Sequence, residues 1–126
     1  MAYQDDLYHI MTSDTSLNTL VKNRIFFETL EENYDITKDW IVFSFRKASQ
    51  VDCINSKNAF TNYIIFVRII SPSTETTNHL SDYIQDMLNG KEYNGIQDIW
   101  FINDTHSFDL DKDQYSNLLE FNSIYI

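Results

Sequence analysis

The densest run of side chains with chemical potential lies between Asp109 and Glu120, in DLDKDQYSNLLE. Asp109, Asp111 and Asp113 fall at positions one, three and five of a twelve-residue calcium loop, and Glu120 falls at position twelve. Alternate residues of such a loop point at the ion, so the spacing has a physical meaning. Position six, however, is Gln114, where the sharp turn needs glycine, and position eight is Ser116, where an aliphatic residue is usual. The flanking segments pattern as strands, whereas this type of loop sits between helices. An acidic hairpin turn accounts for the same residues, and calcium is not expected.

Other chemistry fails on spacing. His9, His79 and His106 are too far apart for two zinc ligands on one helix, and His106 makes at most a loop pair with Asp104. Gly90 and Gly95 are the only glycines, so there is no glycine-rich phosphate loop. No serine sits in a G-x-S-x-G elbow or an S-x-x-K motif. Cys53, the single cysteine, lies in a polar stretch with no neighbouring His and no second cysteine to pair with. Asp5-Asp6 and Glu31-Glu32 are adjacent pairs whose members point in different directions, which is poor geometry for acid–base work. Asp5 and Asp6 better suit the positive end of a first helix. The sequence is read as having no catalytic residue, no cofactor and no metal.

The elements behind these residues fit one domain spanning 1–126. With 43% hydrophobic and 15% aromatic residues, the chain can bury enough apolar area to fold without staples. The N-terminus has no basic and apolar leader, and the run Ile64 to Ile70 is too short and too interrupted to span a bilayer. The chain is expected to fold in a cytoplasm and to make no membrane contact. Nineteen acidic residues against nine basic ones give a charge of −10. That argues against gripping phosphate backbones, which takes clustered Lys and Arg. It fits a solvated acidic surface, a basic protein partner, or a lumen through which nucleic acid passes without sticking.

Tyr3, Leu7, Ile10 and Met11, then Leu17, Leu20 and Val21, recur at helical spacing, and the TSDTS segment between them breaks the helix in two. Short strands are predicted at Arg24–Phe27 and Trp40–Phe45, with a polar loop between and a long polar connection over 46–58. The strongest strand pattern is Phe60–Ile70. Ser71-Pro72-Ser73 ends it and caps a helix that closes at Asn89-Gly90. Gln97–Phe108 and Tyr115–Ile126 complete the chain as two strands. The predicted class is α+β in the order α-α-β-β-β-α-β-β, an antiparallel or mixed sheet with helices on one face.

The strands also carry a functional signal. Tyr63, Ile65, Val67 and Ile69 form one face of the strongest strand, ready to pack under the helices. Its other face shows Asn62, Ile64, Phe66 and Arg68, which is still half apolar. The last strand repeats this, with Leu118, Ile124 and Ile126 opposite Leu119, Phe121 and Tyr125. A sheet with one wet face should alternate more cleanly. Either the chain wraps over that face or another subunit covers it, and a subunit interface is the expectation. Its residues are Ile64, Phe66 and Arg68, with Arg46 and Lys47 at the basic start of the long connection.

The opening L-x-x-I-M-x-S-D-x-S-L-x-x-L-V-x-x-R-I-F-F, Leu7 to Phe27, resembles the start of the phage tail-terminator or tail-completion family. W-I-V-F at Trp40 to Phe43, the strand from Phe60, the S-P-S segment, the helix with its N-G end and the closing hairpin follow the same plan. Family members often carry a proline before the second strand, where this chain has Lys38-Asp39. The resemblance implies a virion protein assembled in the host cytoplasm: a hexameric ring in the neck, on the head-proximal end of the tail tube, that stops tube growth and joins the tail to the head connector. It also implies a lumen through which genome DNA passes unbound. Three other readings stay open from sequence: a stopper or adaptor of the same neck, a small acidic immunity protein that neutralises a basic nuclease toxin, and an enzymatic or calcium-dependent role that rests only on Asp109 to Glu120.

Overall fold

A computed structural model describes residues 2–51 and 60–126. Cys53 and the rest of the segment 52–59 lie outside the described residues. The order is α1 (Ala2–Ser13), α2 (Thr15–Val21), β1 (Ile25–Phe27), β2 (Trp40–Val51), β3 (Phe60–Ser71), α3 (Thr74–Leu88), β4 (Ile96–Asp109) and β5 (Gln114–Tyr125). This is the α+β class and the element order expected from the sequence. The five strands form one sheet in the order β1-β2-β3-β5-β4. β1 runs parallel to β2 and every other pair is antiparallel, so the sheet is mixed.

Local chemistry sets the helix ends. Asp14 caps α2 by accepting from the Leu17 N–H at 2.8 Å, and Lys22 and Asn23 end that helix at φ 50° and 64°. Ser73 caps α3, and Gly90 follows it at φ 79°, a conformation that costs a glycine little. The Gly90 N–H then donates to the Ile99 carbonyl at 2.7 Å, which ties the end of α3 to β4.

One face of the sheet is buried under the helices. Ile41 and Phe43, then Ile65, Val67 and Ile69, then Leu119 and Phe121 are fully buried against Leu7, Met11, Leu17, Leu80, Ile84 and Leu88. Tyr3 anchors the first turn of α1. Its ring stacks on Tyr63 at 3.8 Å between centroids and meets Phe45 and Tyr125 edge-on. Polar bonds cross the same layer, with the Asn117 amide donating to the Ser81 hydroxyl at 2.7 Å.

Three details differ from the sequence expectation. β2 does not stop at Phe45 but runs to Val51, pairing as far as Val51 opposite Phe60 with an irregularity between Lys47 and Ser49. Backbone pairing with β3 carries the strand through a stretch whose polar composition reads as a connection. Asp5 stands in the first turn of α1 as expected, but Asp6 lies beyond it, buried, and accepts from the Asn94 side chain at 3.1 Å. His106 and Asp104 sit on β4 rather than in a loop, two residues apart on one face, with Nε2 and Oδ1 2.6 Å apart.

Candidate functional site: the open face of the sheet

The strand registers align the side chains opposite the helices into rows. One row runs Phe26, Val42, Arg68, Leu118, Thr105 across all five strands. The next on one side is Ser44, Phe66, Glu120, Asn103, and beyond it Arg46, Ile64, Asn122, Trp100. On the other side lies Trp40, Ile70, Ser116, Ser107. No described helix covers this face, yet Trp40, Val42, Ile64, Phe66, Ile70, Trp100, Leu118 and, opposite Asn62, Ile124 are apolar and half-buried. A patch of this kind is a candidate contact surface.

Of the residues expected at an interface, Ile64, Phe66, Arg68 and Arg46 share this face. Lys47 does not, because its register places it opposite Tyr63 on the helix side. The Arg46 guanidinium lies over the Phe66 ring at 5.9 Å, and Arg68 Nη1 donates to the Ser116 hydroxyl at 3.2 Å. Both cations are therefore held flat against the sheet. Glu28, Val42, Ser44, Phe66, Arg68 and Leu118 enclose a shallow groove of about 280 Å³.

Sequence reasoning missed Trp40, Val42 and Trp100 as members of the face. The alternation within WIVFSF was the available signal: Ile41 and Phe43 go inward, so Trp40 and Val42 must go outward.

The chain covers one end of this face itself. Parallel pairing of β1 and β2 demands a crossover, and residues 28–39 supply it as a strap. Tyr34 meets Trp40 edge-on at 5.7 Å, and its hydroxyl donates to Gln114 Oε1 at 2.7 Å. The Trp40 indole N–H donates to the Asp35 carbonyl at 2.7 Å. The Thr37 hydroxyl and N–H hold the Asp35 carboxyl below the usual carboxylate range. Between strap and hairpin lies a cleft of about 460 Å³, lined by Tyr34, Arg68, Ile70, Phe108 and Leu110 among others.

The acidic run Asp109 to Glu120 does not converge. Asp109 Oδ1 accepts from the N–H groups of Asp111 and Lys112, which shapes the turn. Glu120 lies on β5 opposite Phe66, roughly 20 Å along the strand from the turn. No group of three or more potential metal ligands comes together among the described residues, and no described helix is long and apolar enough to cross a membrane.

No family model and no curated protein matches the chain. Among solved structures, a chain from "Virion of native gene transfer agent (GTA) particle" is similar in fold, with a TM-score of 0.75 at 15% sequence identity. The alignment covers 97% of this chain and 92% of that one.

Proposed function

We propose that this chain is a structural protein of a phage-like particle, which forms a ring at the head-proximal end of the tail, stops tube growth and joins the tail to the head connector. The observation that carries the particle role is the fold likeness to a chain of a gene transfer agent virion across nearly the whole of both chains. The finer role, as terminator of the tail, rests on the sequence resemblance from Leu7 to Phe27 and on the half-apolar open face.

On this reading the work is assembly rather than catalysis. A ring needs a heterologous contact that repeats and closes, and six copies would close it. The open face supplies apolar area through Ile64 and Phe66, and Arg46 and Arg68 flank them to fix orientation. A stable contact buries roughly 800 Å² per partner. A surface of net charge −10 keeps the genome from being held as it passes, within a screening length of about 8 Å at physiological salt.

The test is the mass of the purified protein, alone and after mixing with tail tubes. A multiple of the monomer mass that caps the tubes is expected. A stable monomer that never binds tubes would sink the reading. Phe66→Asp should lose assembly while keeping its circular dichroism spectrum. Val67→Asp, at a fully buried position, should unfold. Equal unfolding of both variants would show that the two faces are wrongly assigned.

A further inference from the structure

Strap and β4–β5 turn meet at one end of the molecule, and they expose a side chain that folding does not need. The turn is closed by its polar residues: the Asp109 carboxylate accepts two backbone N–H groups, and Asp113 takes the left-handed conformation at φ 54°. Asn, Asp, Gly and Ser suit such turns because they bond locally or tolerate positive φ. Leu110 does neither, and it is 85% exposed. Phe108 and Ile36 are exposed near it, Ile36 through its carbonyl's bond from the Gln114 amide at 3.4 Å. Leu110, Phe108 and Tyr34 line one cleft.

The surroundings of this knob are acidic. Asp109, Asp111 and Asp113 come from the turn, and Asp35, next to Tyr34 in the strap, adds a fourth carboxylate, all exposed. Lys38 and Lys112 are the cations of strap and turn, with the Lys112 ammonium drawn back over the Tyr34 ring at 5.2 Å, while Arg68 lines the cleft from β3 with its guanidinium on the Ser116 hydroxyl. An exposed leucine flanked by carboxylates is complementary to an apolar pocket rimmed by Lys and Arg.

We infer that the Leu110 tip docks into such a pocket on a different protein of the particle. This rests on the virion role proposed above. A second copy of the chain offers a poor socket in these clefts: the one with Ile10 and Met87 sets Asp14 against Lys91, and the one with Lys22 has only polar lining. The one holding Leu20 and Leu80 carries Asp39 and Glu75, which would repel the tip. The open face sets Glu28 and Glu120 against Arg68 and Arg46, leaving no net positive charge. Insertion of Leu110 supplies affinity, and the carboxylates supply orientation and a salt-sensitive encounter rate.

Co-sedimentation with two purified probes, the tail tube and the head connector of the same particle, tests this at low and high salt. Leu110→Ser and Asp111→Lys change exposed side chains and should leave the melting temperature and self-association unchanged. Each should weaken binding to one of the two probes, Leu110→Ser by about tenfold or more. Asp111→Lys should also remove part of the salt dependence. If Leu110→Ser binds both probes as the wild type does, the knob is overturned and the ring role survives. If the wild type binds neither probe, both fall. If Leu110→Ser instead loses self-association, the occupant is a second copy and the inference is overturned in that direction.

Discussion

Asp14 holds two elements with one carboxylate. It accepts the Leu17 N–H at the start of α2 and the Tyr83 hydroxyl of α3 at 2.6 Å. The Tyr83 bond does most to hold its pKa below the ordinary carboxylate value, with the backbone N–H groups of Leu17 and Ser16 adding to it. The same bond pushes the Tyr83 phenol up. Because the folded pKa is the lower one, the unfolded chain takes up the proton first as pH falls. Its contribution is therefore complete above about pH 4 and is lost as pH drops through the folded value. Asp14→Ala should cost about 1 kcal/mol at neutral pH, read from urea denaturation. Asp14→Asn keeps an acceptor for the cap and should flatten that part of the acid slope. If wild type and Asp14→Asn lose stability in parallel below about pH 4, another group is responsible. The break at TSDTS was legible from residue types that cap better than they propagate. Tyr83, 69 positions away, was not, because nothing local in a sequence records which helix a phenol will reach.

Among the elements, the strap is where local patterning says least and packing says most. Its residues alternate too weakly to read as anything but loop, yet Tyr34, Asp35 and Trp40 fasten it to the sheet, and Gln114 fastens it to the hairpin. Gln114 is 3% exposed, so its amide depends on these partners. Tyr34→Phe leaves the Gln114 oxygen without its donor and should cost about 1–3 kcal/mol, read from the urea midpoint. Hydrogen exchange across 28–39 should accelerate more than exchange in β3. Unchanged exchange in the strap would mean that the bond does not hold it. Periodicity placed β3, α3 and the closing hairpin because their buried faces are long and regular. It shortened β2, since beyond Phe45 the strand turns polar and is irregular between Lys47 and Ser49. It also left open whether β1 pairs in parallel, a choice made by the strap's docking and invisible in Ile25–Phe27 itself.

For the whole molecule, the proposed ring role turns on which surface a second copy would cover. β1 pairs with only three residues of β2, and β4 lies at the other edge of the sheet with irregularities at Ile96/Asp98 and Phe101/Asn103. Irregularities and charges of this kind discourage uncontrolled edge pairing, which leaves the open face as the larger apolar surface. The sequence showed that face through Ile64, Phe66 and Leu118, but not the strap over one end of it. The chain has two tryptophans, and the registers place Trp40 and Trp100 on that face, near opposite corners. Trp40 is already partly sheltered by Tyr34 and the strap; Trp100 has no aromatic contact of that kind described. Assembly through the face should therefore shift tryptophan emission to the blue as concentration rises, in step with the mass measured by sedimentation. Replacing Trp40 should leave most of the shift, and replacing Trp100 should remove most of it. Phe66→Asp should show neither the shift nor the gain in mass. A rise in mass with unchanged emission would place the contact elsewhere, on the strand edges or the helices, and the open face would then need another occupant.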